Sequence, residues 1–238
     1  MAGCETLAAE DPNALWQIVH LDCAPAAQRT GSTGICSDVD LSHRYAILKD
    51  RNGVAQHLLI PTDRISGVES PQVLAPGTEN YWADAWNARR YVQASLKAAH
   101  RDRLADDQLG LEINSTSRRS QEQLHIHIDC MRASAIEAIA RHRNDAPEQW
   151  TWDSIDGARY RIMRVSGEAF DFNPFDIVAR DKHGADAMGM QTIFVSGAGP
   201  SAERDGWLIL NSGTDVDGGT GSAEVLLDHQ CKAAPNAS

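Results

Sequence analysis

The sequence contains no run of about 18 apolar residues, so no stretch of it has the pattern of a membrane-spanning helix. It is also poor in positive charge, because 22 lysines and arginines stand against 33 aspartates and glutamates, a formal net charge of −11. That balance argues against nucleic acid as a partner and against a broad electrostatic hold on an anionic membrane. Local arginines would have to meet any anionic ligand.

Cys-x-x-Cys pairs are absent as well, which argues against zinc-ribbon and thioredoxin-type chemistry. Cys4 ends an Ala-Gly-Cys tripeptide that either is the tail of a lipoprotein signal or follows the initiator methionine by chance. The four other cysteines allow three pairings. We expect Cys23–Cys36, which would close a turn-rich loop, and Cys130–Cys231, which would tie a strand to the C-terminal segment. Such bonds indicate an oxidising compartment, the periplasm or cell surface; reduced, buried cysteines in the cytoplasm are the alternative.

Nothing in the composition divides the 238 residues, since there is no long linker or low-complexity tract. Hydrophobic content of 42% and charged content of 23% are ordinary for a globular domain. Residues 1–10 look like a linker or the remnant of a tether, and residues 11–238 are expected to form a single domain.

The order of predicted elements favours an α+β fold, an antiparallel sheet with helices on one side. Helical spacing of apolar residues predicts helices from residue 11, over 80–100 and over 131–143. Alternating patterns predict strands at 44–49, 56–60, 109–113, 159–165, 191–196 and 207–211, with Asn-Gly in the first hairpin turn. The segment after Cys23 is expected to be a connecting loop, and 215–221 a turn.

One further strand concentrates the residues that could carry chemistry. If residues 123–130 are extended, one face presents Gln123, His125, His127 and Asp129. The polar loop before it, 114–120, supplies hydrogen-bond donors and arginines of the kind that bind a phosphate. The pattern favours a phosphate held by the loop while one imidazole attacks it and the other stabilises the displaced charge.

A His-x-His pair has other meanings. It can be structural, or it can bind a metal, because strand residues two apart can offer both nitrogens to one ion. Asp129 would then be a candidate third ligand. Asp129 could also raise the pKa of His127 by opposite-charge attraction, or it could face solvent.

The run from Gln123 to His127 resembles the histidine-triad signature His-φ-His-φ-His-φ-φ, with glutamine in the first place. Other segments resemble the bacterial CDP-diacylglycerol pyrophosphatase family: YAILKDRNGVAQHLLIPTDRISGVESP at 45–71, AWNAR at 85–89, INS at 113–115, HIHI at 125–128 and DHQC at 228–231. They are spread over nearly the whole chain.

The resemblance implies a HIT-like antiparallel sheet in which the C-terminal half takes the place of a second subunit, an internal pseudo-dimer. The protein would then be either a monomer of that kind or a homodimer. The implied reaction is hydrolysis of CDP-diacylglycerol to CMP and phosphatidate through a nucleotidyl-histidine, with no cofactor and no obligatory metal. Its partners would be that lipid and the membrane surface, and its place the periplasmic face of the inner membrane, with an N-terminal segment as anchor.

The resemblance also assigns roles to residues. His125 would be the nucleophile, with its second nitrogen protonated and bound to the carbonyl of Gln123, and His127 would hydrogen-bond a phosphate oxygen. The expected substrate-binding residues are Asn114, Ser120, Arg118, Arg119, Gln123, His57 and Arg64. Within that set, Arg118 and Arg119 rest on their position in the loop alone.

Two other functions stay open at this point. A histidine-triad hydrolase or transferase could act on other nucleotide conjugates, because the chemistry recognises the nucleotidyl phosphate and leaves the leaving group open. Alternatively, the protein could be a nucleotide- or metal-binding module without catalysis. Gln123 departs from the triad, and the sequence does not decide whether its main chain or its side chain matters.

Overall fold

Within the part of the chain that the structure describes, nine strands form one sheet in which every neighbouring pair is antiparallel. The computed structural model describes residues 11–182 and 184–236; the predicted linker at 1–10, with Cys4, lies outside them. The strands are β1 Asp38–Asp40, β2 Tyr45–Lys49, β3 His57–Pro61, β4 Leu109–Ile113, β5 Ile126–Cys130, β6 Trp150–Ile155, β7 Ala158–Val165, β8 Gln191–Gly197 and β9 Trp207–Gly213. Their order across the sheet is β1-β2-β3-β5-β4-β8-β9-β7-β6.

Helices flank both faces of this sheet. They are α1 Ala14–Ile18, which continues as the π-helix Val19–Cys23 and then as α2 Ala24–Thr30, followed by α3 Tyr81–Ala98, α4 Ala133–His142, α5 Pro174–Ala179, α6 Ala185–Gly189 and α7 Ala202–Asp205. Short 3-10 helices span Pro71–Leu74, Asp106–Gln108 and Glu224–Leu226. None of the helices in the described ranges has the length and apolar composition that crossing a bilayer requires.

The larger core lies between one face of the sheet and α3. Alternation within each strand sends every second side chain to this face, and the cluster there includes Leu59, Leu111, Ile126, Ile193 and Ile209. On α3, Trp82 and Trp86 share a face four residues apart and are both buried in this core. The long helix therefore buries its aromatic face against the sheet.

The opposite face carries two separate apolar clusters. Toward β1, Leu15 and Val19 of the N-terminal helix pack on Leu48 and Leu58. Toward β6, Ile139 of α4 belongs to a cluster with residues of β7, β8 and β9. Strand β5 runs between these clusters, and His127 on it faces an opening instead of a packed core. The strand begins at Ile126 and not at residue 123 as predicted, so His125 lies just before it.

Both expected disulfides are present, Cys23–Cys36 and Cys130–Cys231. The paired cysteines are 13 and 101 residues apart in the sequence. For loops of these lengths, the loss of chain entropy in the unfolded state gives about 3 and about 4.7 kcal/mol of stabilisation. The bonds fit a protein of an oxidising compartment such as the periplasm.

The predicted hairpin, the long helix and the later strands are confirmed, and so is the turn at 215–221. The prediction of a loop directly after Cys23 is wrong, because α2 occupies Ala24–Thr30. Pro25 near its start suits the first turn of a helix, and Gly31 ends it in the left-handed conformation. Helices also lie on both faces of the sheet, not on one.

Candidate active site

A cavity of about 700 Å³ opens on the sheet face between the two apolar clusters. Its floor holds His125 and His127, with ring centroids 5.0 Å apart. The residues that line it are Asp11, Ala14, Leu15, Ile18, Ile35, Leu48, Lys49, Asp50, Arg51, Asn52, Leu58, Asn114, Arg118, Ser120, Gln121, His125, His127 and Glu224.

His125 is held by the carbonyl oxygen of Gln123, 2.7 Å from its Nδ1. A carbonyl only accepts hydrogen bonds, so Nδ1 carries the proton and Nε2 carries the lone pair. The sequence-based prediction of this contact is confirmed. The ring is therefore fixed in the tautomer that a nucleophilic imidazole needs.

His127 has the opposite arrangement. The side-chain amide nitrogen of Gln56 lies 2.7 Å from its Nδ1 and donates to it, which places the proton of His127 on Nε2. That Nε2 lies 4.0 Å from Oε2 of Glu112, and both atoms are buried with no hydrogen-bond partner within the described residues. The two adjacent imidazoles thus offer one lone pair and one N–H.

Burial keeps both rings uncharged. It lowers the pKa of His125 to about 4, and the neighbouring His127 lowers it further than burial alone would. Burial likewise lowers the pKa of His127, despite the opposing attraction of Glu224. Asp129 does raise the pKa of His127 by opposite-charge attraction, as its position suggested, but the desolvation of the ring is the larger effect and the net shift is downward.

A row of charged side chains borders the histidines. His229 lies with Nδ1 2.8 Å from Oδ2 of Asp129 and Nε2 3.6 Å from Oε1 of Glu224. The hydrogen bond to Asp129 is the main reason that the pKa of His229 rises to about 10, and the bond to His229 in turn lowers the pKa of Glu224 to about 2. Glu224 then accepts a hydrogen bond from Nδ2 of Asn114 at 3.2 Å. Asn114 is thereby oriented at the cavity wall by an ionised carboxylate.

The structure brings Asn114, Arg118 and Ser120 together with the histidine pair, since all three line the cavity. Arg118 and Ser120 are exposed to it from the loop after β4. This loop is held by a backbone bond from Ser115 to the carbonyl of Gly221.

The side chains of two predicted substrate-binding residues, Arg119 and Gln123, are bound to other parts of the protein and not directed at the cavity. Arg119 is buried in ion pairs, with Nη1 2.5 Å from Glu69 and Nη2 2.7 Å from Glu122. The side-chain amide of Gln123 donates to the carbonyls of Pro61 and Asp63 at 3.0 and 2.7 Å. Gln123 therefore meets the site through its main chain, and its side chain anchors the loop after β3.

His57 and Arg64 also lie away from the cavity. In β3, Leu58 pairs with His127, so His57 pairs with Ile128 and points to the α3 face. There its Nδ1 lies 2.8 Å from the carbonyl of Ala55 and its ring contacts Tyr91.

Arg64 hydrogen-bonds Asn13 and lies over the ring of Trp16, 5.2 Å from its centroid. It holds the N-terminal helix in place. Neither it nor His57 lies beside the histidine pair.

The sequence did not predict two of the residues that lie against His127. Gln56, which directly precedes β3, and Glu112 of β4 reach His127 from either side of β5, and only the arrangement of the strands reveals them. Glu112 did leave a signal, because it is a lone charge in the apolar strand LGLEI. Its Oε1 accepts from the Thr192 hydroxyl at 3.1 Å and from the Ala223 N–H at 3.2 Å, and burial raises its pKa well above the usual range.

Asp129 was the candidate third ligand for a metal bound by the histidine pair. Asp129 binds His229, and the two cysteines next to it form a disulfide. Within the described residues, a second group of three possible ligands is His43, Glu79 and Asp84, near the start of α3. His43 pairs with each of the two carboxylates, and the group is not part of the cavity.

An uncharged imidazole with a free Nε2, a neighbouring N–H donor and a polar loop in one cavity indicate a class of enzyme, one that transfers or hydrolyses a phosphoryl or nucleotidyl group. Comparison with known sequences agrees. The sequence model of CDP-diacylglycerol pyrophosphatase matches residues 10–235. A CDP-diacylglycerol pyrophosphatase of Yersinia pestis is 37% identical over 228 residues, which cover 94% of this chain and 86% of that protein. The chain belongs to the CDP-diacylglycerol pyrophosphatase family.

Proposed function

We propose that the protein hydrolyses CDP-diacylglycerol to CMP and phosphatidate, with His125 as the nucleophile and a covalent nucleotidyl-histidine between two steps. The observation that carries the proposal is the pair of opposite tautomers. The carbonyl of Gln123 accepts the Nδ1–H of His125, and the amide of Gln56 donates to Nδ1 of His127 and so leaves the proton of that ring on Nε2. One ring can therefore attack while the other donates.

In the first step Nε2 of His125 attacks the cytidylyl phosphorus. A P–N bond forms, the P–O bond to the phosphatidyl phosphate breaks, and phosphatidate leaves. Nε2–H of His127 hydrogen-bonds a phosphate oxygen as charge shifts toward the leaving group. The Gln123 carbonyl stabilises the positive charge that His125 gains, because its Nδ1–H becomes a stronger donor.

In the second step water attacks the same phosphorus and breaks the P–N bond, which releases CMP and restores neutral His125. Asn114, Ser120 and Arg118 contact the phosphates during both steps. Arg118 supplies a positive charge near the cavity, which an overall acidic protein needs for a pyrophosphate.

The experiment follows labelled phosphate from CDP-diacylglycerol carrying 32P in the cytidylyl group. His125→Ala should lose both CMP release and the labelled protein, and His127→Ala should slow the labelling. His57→Ala is the matched control, because His57 is a strand histidine on the other sheet face, and it should keep both signals. If the His125→Ala protein still became labelled, His125 would not be the nucleophile. ADP-ribose and dinucleoside polyphosphates tested in parallel distinguish a broader nucleotidyl hydrolase.

We also propose that the sheet is HIT-like and is an internal pseudo-dimer. Strands β2 to β5 occur in the order β2-β3-β5-β4, and β6 to β9 repeat it as β6-β7-β9-β8. Each set has its helices between the second and third strands, α3 in one and α5 with α6 in the other. The two sets meet where β4 pairs with its counterpart β8. Light scattering should therefore give the mass of one chain, and a tight dimer would count against the pseudo-dimer.

The membrane surface is the other proposed partner, at the periplasmic face of the inner membrane and with an N-terminal segment as anchor. The lipid nature of the family's substrate and the two disulfides support this location. Protease added to intact spheroplasts should degrade the protein. Degradation only after lysis would contradict the periplasmic location.

A further inference from the structure

The cavity has two walls of different chemistry. Polar residues surround the histidine pair, whereas the N-terminal helix and the first strands contribute an apolar wall, made of Ala14, Leu15, Ile18, Leu48 and Leu58. The pyrophosphate and ribose of a nucleotide offer little surface to such a wall, because they seek hydrogen-bond donors and acceptors. An amphiphilic ligand would use both walls at once.

The apolar wall continues to the protein surface. Ile35 lines the cavity and yet is 65% exposed, and Leu21 is 68% exposed. The carboxylate of Asp22 accepts the backbone N–H of Ile35 at 3.0 Å, and the disulfide between Cys23 and Cys36 joins the same two segments. Leu21, which precedes Asp22 in the chain, and Ile35 are the two most exposed large apolar side chains of the described residues, and these contacts join their two segments beside the cavity that Ile35 lines. We call this pair the apolar rim.

An exposed apolar cluster that continues into a cavity indicates a ligand or interface, since scattered single residues would need no explanation. Charge cannot serve the same purpose here. The formal net charge of −11 opposes a general attraction to anionic lipid, so contact with a lipid depends on apolar groups.

We propose that the apolar wall and the apolar rim form the subsite for the acyl chains of the lipid substrate. The diacylglycerol part lies along Ile18, Leu48 and Leu58 and leaves the cavity across Ile35 and Leu21, while the pyrophosphate reaches the histidines. The inference rests on the proposed function, because it names where the leaving group of that reaction binds.

The test compares three substrates that share the cytidine pyrophosphate: CDP-glycerol, which has no acyl chain, CDP-dihexanoylglycerol as a dissolved monomer, and long-chain CDP-diacylglycerol in phosphatidylcholine vesicles. The variant is Leu21→Ser with Ile35→Ser, two exposed positions at which serine leaves the fold intact. We expect kcat/KM to fall about 10-fold or more for both acylated substrates, because apolar contact with two side chains is lost. Turnover of CDP-glycerol should stay at the wild-type value.

Leu74→Ser is the matched control, since Leu74 is also an exposed leucine but lies in the 3-10 helix Pro71–Leu74 and does not line the cavity. It should leave all three substrates unchanged. An equal loss on CDP-glycerol, or no loss on any substrate, would overturn the subsite. A loss on vesicles alone would also overturn it and would make the rim a bilayer contact. If the wild-type protein hydrolyses none of the three, the proposed function itself fails.

Discussion

Acid should slow this enzyme much less than it slows an ordinary histidine nucleophile. Burial and the neighbouring ring hold the pKa of His125 at about 4, against a usual value near 6.5. At pH 5 a ring of pKa 6.5 is only about 3% uncharged, whereas a ring of pKa 4 is about 90% uncharged. The nucleophile should thus be about 30 times more available at pH 5 than a solvated histidine would be.

The measurement is the single-turnover rate at which labelled enzyme forms from CDP-diacylglycerol between pH 3.5 and 8. We expect a rate that is flat through neutral pH and falls to half its value near pH 4. His57→Gln is the control, since burial also lowers the pKa of His57 to about 4 but its ring lies on the α3 face. Its profile should match the wild type. A midpoint near 6.5 would refute the view that His125 is desolvated in the resting enzyme.

The same low pKa has a consequence for folding. Below pH 6.5 the unfolded chain binds a proton at His125 that the folded protein does not bind, so the free energy of unfolding falls as the pH drops from about 6.5 to about 4. A shift of that size corresponds to about 3 kcal/mol, and His57 adds a similar amount. Circular dichroism at each pH separates this loss of fold from loss of the nucleophile, and His57→Gln should be the more acid-stable protein.

Three other changes test the surroundings of the site. Glu112→Gln should nearly keep the free energy of unfolding in urea, because burial favours the uncharged acid and the amide has the same shape. Glu112→Ala removes a buried acceptor of the Thr192 hydroxyl and the Ala223 N–H, leaves a cavity, and should cost about 2 kcal/mol. Gln123→His should keep the labelling rate within a few-fold, because the carbonyl remains, but lower the melting temperature through loss of a buried hydrogen bond; a large loss of rate would show a specific role for the amide. Replacing Cys130 and Cys231 by alanine should cost about 4 to 5 kcal/mol, and an unchanged urea midpoint would contradict the bond.

Local patterns account for the part of the structure that could be predicted. Alternation along 123–130 predicted His125 and His127 on one face, and both line the cavity although the strand itself begins at Ile126. The contact of Nδ1 of His125 with the carbonyl two residues earlier is local in the chain. The long periodic helix α3 and the Asn-Gly hairpin were predicted for the same reason, since each depends on residues close together in the chain.

The predictions that were wrong concerned residues whose surroundings depend on parts of the chain far away in the sequence. His57 was placed near the nucleotide from its neighbours in sequence, but the pairing of Leu58 with His127 turns His57 to the other face. Gln56 is its immediate neighbour and takes the position beside the site. Arg119 was expected to bind phosphate because it lies in the polar loop. In the structure its guanidinium instead forms an ion pair with Glu69, 50 residues away in the sequence. Such contacts have no local signature.

The proposed internal repeat accounts for the lack of a second histidine pair in the described strands β6 to β9. On the histidine face of the second half, β8 and β9 present Phe194, Leu208 and Leu210, which α4 covers. A dimer of identical chains would have to keep both sites, because a substitution in one subunit appears in the other. A single chain has no such constraint, so its second half can replace reactive side chains by packing ones. The second half still serves the site, since Thr192 of β8 reaches across the central strand pair to hold Glu112 beneath His127.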